Sequence, residues 1–132
     1  MRMEHTALNV ADPTAMAAWY VRQLGMRVAR AGGAPAHAHF LLDAAGTVLL
    51  EIYHSAAATV PDYASGHPLQ FHIAFLADDP DAARDELVAA GATLVDDQRA
   101  DDGSRFVMLR DPWGIPLQLC RRASPLLAPP DR

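Results

Sequence analysis

Glu4-His5-Thr6-Ala7-Leu8-Asn9-Val10-Ala11-Asp12-Pro13 is answered 67 residues later by Phe71-His72-Ile73-Ala74-Phe75-Leu76-Ala77-Asp78-Asp79-Pro80. In both stretches a histidine opens an alternating apolar run, and Asp-Pro closes it at the same distance. The same offset carries Glu51 onto Gln118, so 46 residues separate the histidine from its Glu or Gln in each copy. Loops are where duplicated units normally drift, so a spacing held over that length indicates an internal repeat.

Each copy has the same order of elements. Residues 3–10 alternate, Thr6, Leu8 and Val10 on one face and His5, Ala7 and Asn9 on the other, as a half-buried strand does. Asp12 then caps a helix with Pro13 in its first turn, a pairing that satisfies one free N–H and loses none. That helix ends at Leu24-Gly25. Strands are expected at 26–31, 38–42 and 48–53, the last two joined by a turn at Asp43–Gly46. The second copy repeats this with a strand at 69–76, a helix from Pro80 to Ala90 closed by Gly91, and strands at 92–95, 106–110 and 115–120. The predicted fold is α+β: two βαβββ modules in tandem forming a curved, partly closed mixed sheet, with helices on the outside. The modules span 1–54 and 69–121, joined by a linker loop at 55–68 and followed by a disordered tail at 122–132.

Strand alternation sorts the chemistry. Leu50 and Ile52 face one way and Glu51 and Tyr53 the other; Leu117 and Leu119 oppose Gln118 and Cys120; Ile73 and Phe75 oppose His72 and Ala74. With the apolar set under the helices, the polar set shares the concave face. Glu51 within Val48-Leu49-Leu50-Glu51-Ile52 is costly to bury unless ionically satisfied, and a divalent cation satisfies it. His5, Glu51, His72 and Gln118 offer two nitrogens and two oxygens, a set suited to Zn, Ni, Mn or Fe(II) and too nitrogen-rich for Mg or Ca. Two neutral His, one Glu and one neutral Gln leave a divalent ion with a formal +1, which favours anionic oxygen ligands. His5, His72 and Glu51 alone are the two-His, one-carboxylate set of non-haem Fe(II) oxygenases, with Gln118 a weak and displaceable fourth ligand.

Taken together and in order, His5-Thr6-Ala7-Leu8-Asn9-Val10-Ala11-Asp12, Trp19-Tyr20 with Leu24-Gly25-Met26, Leu50-Glu51-Ile52, His72-Ile73-Ala74-Phe75 and Asp111-Pro112-Trp113-Gly114-Ile115-Pro116-Leu117-Gln118-Leu119 resemble the vicinal oxygen chelate superfamily. That superfamily holds glyoxalase I, extradiol dioxygenases, fosfomycin-resistance enzymes and bleomycin-resistance proteins, and the resemblance covers residues 3 to about 121. It implies metal ligation by His5, Glu51, His72 and the residue at 118. It also implies a substrate that chelates through adjacent oxygens, and a homodimer. Bacterial glyoxalase I has Glu, both ligand and base, where this chain has Gln118, and a cationic residue where this chain has Asn9. Gln takes no proton near neutral pH, which argues against true glyoxalase I chemistry.

The expected function is therefore a glyoxalase-like metalloenzyme of lyase or isomerase type. An Fe(II)-dependent extradiol-type dioxygenase and a metal-free drug-binding protein of the bleomycin-resistance type are the alternatives. Glu51 and Tyr53 are the catalytic candidates, for proton movement and hydrogen bonding to substrate. Asn9, His39, Ala74, Met108 and Cys120 are candidates to line the pocket. Composition narrows the partners. A net charge of −5 repels nucleic acid, and no run approaches the roughly 20 apolar residues of a membrane span. No basic segment followed by an apolar run suggests a signal peptide, and Cys120, the single cysteine, has no internal disulfide partner. A reduced, cytoplasmic setting is expected.

Overall fold

The computed structural model describes residues 1–47 and 49–126. It divides into two compact units, Met1–Pro61 and Asp62–Arg132. The first unit runs β1 (Thr6–Asn9), α1 (Pro13–Leu24), β2 (Arg27–Ala31), β3 (His39–Leu42) and β4 (Leu49–Tyr53). The second runs β5 (Ile73–Leu76), α2 (Pro80–Ala89), β6 (Thr93–Arg99), β7 (Arg105–Arg110) and β8 (Pro116–Arg121). Both units are βαβββ, and each forms its own four-stranded mixed sheet, ordered β1-β4-β3-β2 and β5-β8-β7-β6. The expected tandem α+β architecture is present, with the hydrogen bonding partitioned between two sheets.

The duplication extends to the register. β1 runs parallel to β4 with Ala7 opposite Glu51, and β5 runs parallel to β8 with Ala74 opposite Gln118. Each unit's first hairpin carries a bulge at the corresponding place, between Val28 and Arg30 and between Leu94 and Asp96. Such bulges bend the strand and strengthen its twist.

Local chemistry accounts for the helices. Asp12 accepts from Ala15 N–H at 3.0 Å, Pro13 fills the first turn, and Gly25 ends α1 at φ 65°, a conformation that costs glycine little. Met16, Tyr20, Leu41 and Ile52 are fully buried in the first unit, as α1 packs on β3 and β4. Asp79 caps α2 by accepting from Asp81 and Ala82 N–H. Leu87 of α2 is buried in the second unit, as are Val107, Leu109 and Leu117 of the sheet beneath. Each such side chain contributes about 1.5–3 kcal/mol on burial.

Several boundaries differ from expectation. The first strand is confined to 6–9, and β5 begins at Ile73, not at 69. Residues 67–70 instead close a turn, Gln70 N–H donating to His67 O at 2.9 Å. β6 continues through Asp96 and Asp97 to Arg99, four residues past the expected end at 95. Arg122 and Ala123, expected in the tail, are held. The Arg122 guanidinium lies 5.0 Å from the Phe106 ring centroid and Ala123 N–H donates to Ser104 Oγ at 3.0 Å. Val48 and the expected tail at 127–132 lie outside the described residues.

Candidate functional site

In the first unit, β4 holds Glu51 half-buried between Leu50 and Ile52, which are buried on the helix side. His5, one residue before β1, brings its Nε2 to 3.2 Å from Glu51 Oε2. Its Nδ1 contacts the Glu4 carboxylate. Two ligand atoms at about 2.0–2.1 Å from one tetrahedral ion lie about 3.3 Å apart, so the His5–Glu51 spacing matches a shared cation. A carboxylate behind the other ring nitrogen is the arrangement that orients a ligating histidine. The hydrogen bond from His5 to Glu4 chiefly, with the charges of Glu4 and Glu51, raises the His5 pKa against the opposing effect of burial.

Phe40 completes this corner. Its ring meets that of His5 edge-on, centroids 5.8 Å apart at 87°, and β3 pairs Phe40 with Glu51 across the sheet. His39 corrects the sequence reading: the register sets it opposite Ile52, on the helix-facing side, and its Nδ1 lies 2.7 Å from His37 O. The residue of β3 that shares Glu51's face is Phe40. Counting outward from the Asp43–Gly46 turn pairs residue 40 with 49, which shares the face of 51, so the signal lay in the hairpin length and not in the histidines.

Asn9 and Tyr53 are register partners on the Glu51 face. Asn9 is buried and committed to the chain. Its Nδ2 donates to Ser55 O at 3.2 Å and Ala58 O at 3.1 Å, and its Oδ1 accepts from Ser55 N–H at 2.9 Å. It fixes the start of the connecting loop.

In the second unit, Asp96, Met108, Gln118 and Ala74 form one row across the sheet, and Gln98, Phe106, Cys120 and Leu76 the next. His67, Leu69, Asp96, Phe106, Met108 and Gln118 line a cavity of about 310 Å³ over β6–β8. Ala74 and Cys120 border a second, apolar hollow of about 440 Å³ beside the edge strand β5, with Leu76 and Leu126. The Cys120 thiol donates to Gln118 Oε1 at 3.2 Å, and burial pushes its pKa up, which keeps it a thiol. His72, half-buried, donates from Nδ1 to Pro68 O at 3.1 Å, which leaves Nε2 bare for a metal or a proton. The structure thus brings His5 and Glu51 together in one unit and gives His72 the tautomer of a ligand in the other. Among the described residues, no group of three or more His, Cys, Asp or Glu side chains is placed to hold a metal ion.

Two arginines in the second unit have no counterpart in the sequence reading. Arg105 is 1% exposed, and it pairs with Asp81 at 2.7 Å and Asp97 at 2.5 Å, joining α2 to β6 and β7. Its hydrogen bonds hold both carboxyls below the usual range. Asp81 and Asp97 are structural anchors. A cation in phase with buried Val107 and Leu109 is the signal, since such a charge needs buried partners. Arg110 donates to Tyr63 O at 2.8 Å, Gly114 O at 3.0 Å and Gly66 O at 2.6 Å, fastening the loop that leads to His67. Gly114, at φ 86°, admits the close approach of Ala64 beside this clamp.

The family model of the glyoxalase-like domain matches residues 5–120. Among solved structures, SMU.1112c aligns at 28% identity and TM-score 0.70, over 92% of this chain and 98% of that one. A glyoxalase family protein from Enterococcus faecalis aligns at 27% identity and TM-score 0.67, over 91% and 97%. A glyoxalase family protein from Bacillus cereus, at 16% identity, shares the fold at TM-score 0.77 over 91% and 93%. No curated protein matches the chain in sequence. Among the described residues, no helix is long and apolar enough to cross a membrane.

Proposed function

The chain belongs to the glyoxalase-like domain family, within the vicinal oxygen chelate superfamily, and on that premise we propose that it is a metal-dependent enzyme of lyase or isomerase type, acting on a small molecule with adjacent oxygens. Its metal ligands are His5, Glu51 and His72, with Gln118 the weak fourth. The observation that carries this is the 3.2 Å separation of His5 Nε2 and Glu51 Oε2, with Glu4 behind the far ring nitrogen. The Pro68 carbonyl gives His72 the matching tautomer.

A divalent ion bound there supplies Lewis acidity to adjacent substrate oxygens. The chain's own residues do the rest. Glu51 sets the charge of the site and accepts a proton when substrate displaces part of the ligand set. Tyr53, two residues along the same face, donates to a substrate oxygen. Gln118 offers an oxygen without basicity, which separates this site from one built around a second carboxylate. The working assembly is a homodimer, following the superfamily.

Calorimetric titration of the metal-stripped full chain with Zn²⁺, Ni²⁺, Mn²⁺ and Fe²⁺ tests the ligand set. One ion per chain is expected, bound about 100-fold more weakly by Glu51→Gln, since the only anionic member of the ligand set is lost. Uptake that is absent, or equal in the two proteins, removes the metal and the reaction with it. Preference for iron with O₂ consumption would select the dioxygenase alternative.

A further inference from the structure

Two histidines five residues apart in the second unit are held in opposite tautomers by the backbone. Leu69 N–H donates to His67 Nδ1 at 3.2 Å. A ring nitrogen that accepts is unprotonated, so the proton of neutral His67 sits on Nε2. His72 Nδ1 meets the Pro68 carbonyl at 3.1 Å, and a carbonyl can only accept, so there the proton sits on Nδ1 and Nε2 is bare. One ring presents a donor, the other an acceptor.

His67 is also fixed from both sides. Gln70 Oε1 accepts from His67 N–H at 3.0 Å and Gln70 N–H donates to His67 O at 2.9 Å. Arg110 fastens the preceding carbonyls of Tyr63 and Gly66. A donor held this way loses little entropy on meeting a ligand.

The cavity of about 310 Å³ that His67 lines is at the small end of the range for ligand pockets. Leu69, Phe106 and Met108 supply apolar wall, Gln118 lies on it, and the Asp96 carboxylate on the same wall opposes an anion. We propose that His67 is a substrate-contacting residue whose Nε2–H donates to an uncharged carbonyl oxygen of a small, largely apolar ligand. This role rests on the proposed function only in placing substrate on this face of the second unit; it needs no metal.

Long-range ¹H–¹⁵N spectra of the full chain at pH 8 read the tautomers directly. The proton is expected on Nε2 of His67 and on Nδ1 of His72; the reverse at His67 overturns the role. Acetophenone, an uncharged aromatic ketone, is the binding probe. It is expected to shift the amides of Leu69, Phe106 and Met108. In His67→Asn its affinity should fall about five- to tenfold, the cost of one hydrogen bond to a neutral acceptor. Asn retains a side-chain acceptor for the Leu69 N–H, and an unchanged amide spectrum elsewhere verifies the fold. Equal affinity in the two proteins, or no shifts at those amides, overturns the proposal. Ion uptake should be the same in His67→Asn as in wild type; selective loss there would make His67 a support of the metal site and overturn its role as a substrate contact. Loss of uptake in both would sink the metal reading and leave the acetophenone result to decide this one.

Discussion

A carboxylate at 51 and an amide at 118 occupy the same register position in two copies of one unit, each opposite an alanine of the parallel strand. That asymmetry has chemical weight because Gln118 can coordinate but cannot take a proton. Gln118→Glu should gain isomerisation of the methylglyoxal–glutathione hemithioacetal over a wild type that turns it over poorly, measured as product absorbance in the metal-loaded protein. Efficient turnover by wild type would show that no second carboxylate is needed. Position 118 was legible from spacing alone, because alternation within a short apolar strand leaves one phase for a polar residue. Residue 39 was not legible in this way. Residues 37–40 read His-Ala-His-Phe, and either phase is plausible until the hairpin turn sets the count and puts Phe40 beside His5.

At the scale of elements, the helix caps were written plainly: Asp-Pro at 12–13 and 79–80 marks both helix starts. The attachment of α2 to its sheet was not, because Asp81, Asp97 and Arg105 lie far apart in sequence and only the folded register brings them together. Two carboxyls held down chiefly by the buried Arg105 guanidinium, with Arg99 also on Asp81 and Arg84 also on Asp97, make a pH-dependent joint. Their folded pKa values lie below the unfolded ones, so their stabilisation is full above the ordinary carboxylate range and disappears as pH falls through the folded values. Arg105→Met should lower the urea midpoint at pH 7, by less than the loss of a wholly buried pair because both carboxylates are partly exposed. It should also flatten the loss of stability in acid. An unchanged midpoint at pH 7 would mean that apolar packing and the Arg84–Asp97 and Arg99–Asp81 pairs, not Arg105, join α2 to the sheet.

For the whole molecule, the repeat decided the fold, since a conserved offset of 67 residues fixed both the number of units and the strands that carry chemistry. The connecting segment was legible only as a loop. Its two ends are tied differently, residues 55–58 to Asn9 in the first unit and 63–66 to Arg110 in the second, by side chains whose roles no local pattern reveals. The proposed function depends on His5 and His72 both serving as metal ligands. X-ray absorption on the zinc-loaded full chain tests this most directly. Two imidazoles and a shell of oxygens at about 2.0–2.1 Å are expected, falling to one imidazole in His72→Ala. A spectrum without imidazole scattering, or one that His72→Ala leaves unchanged, would contradict it.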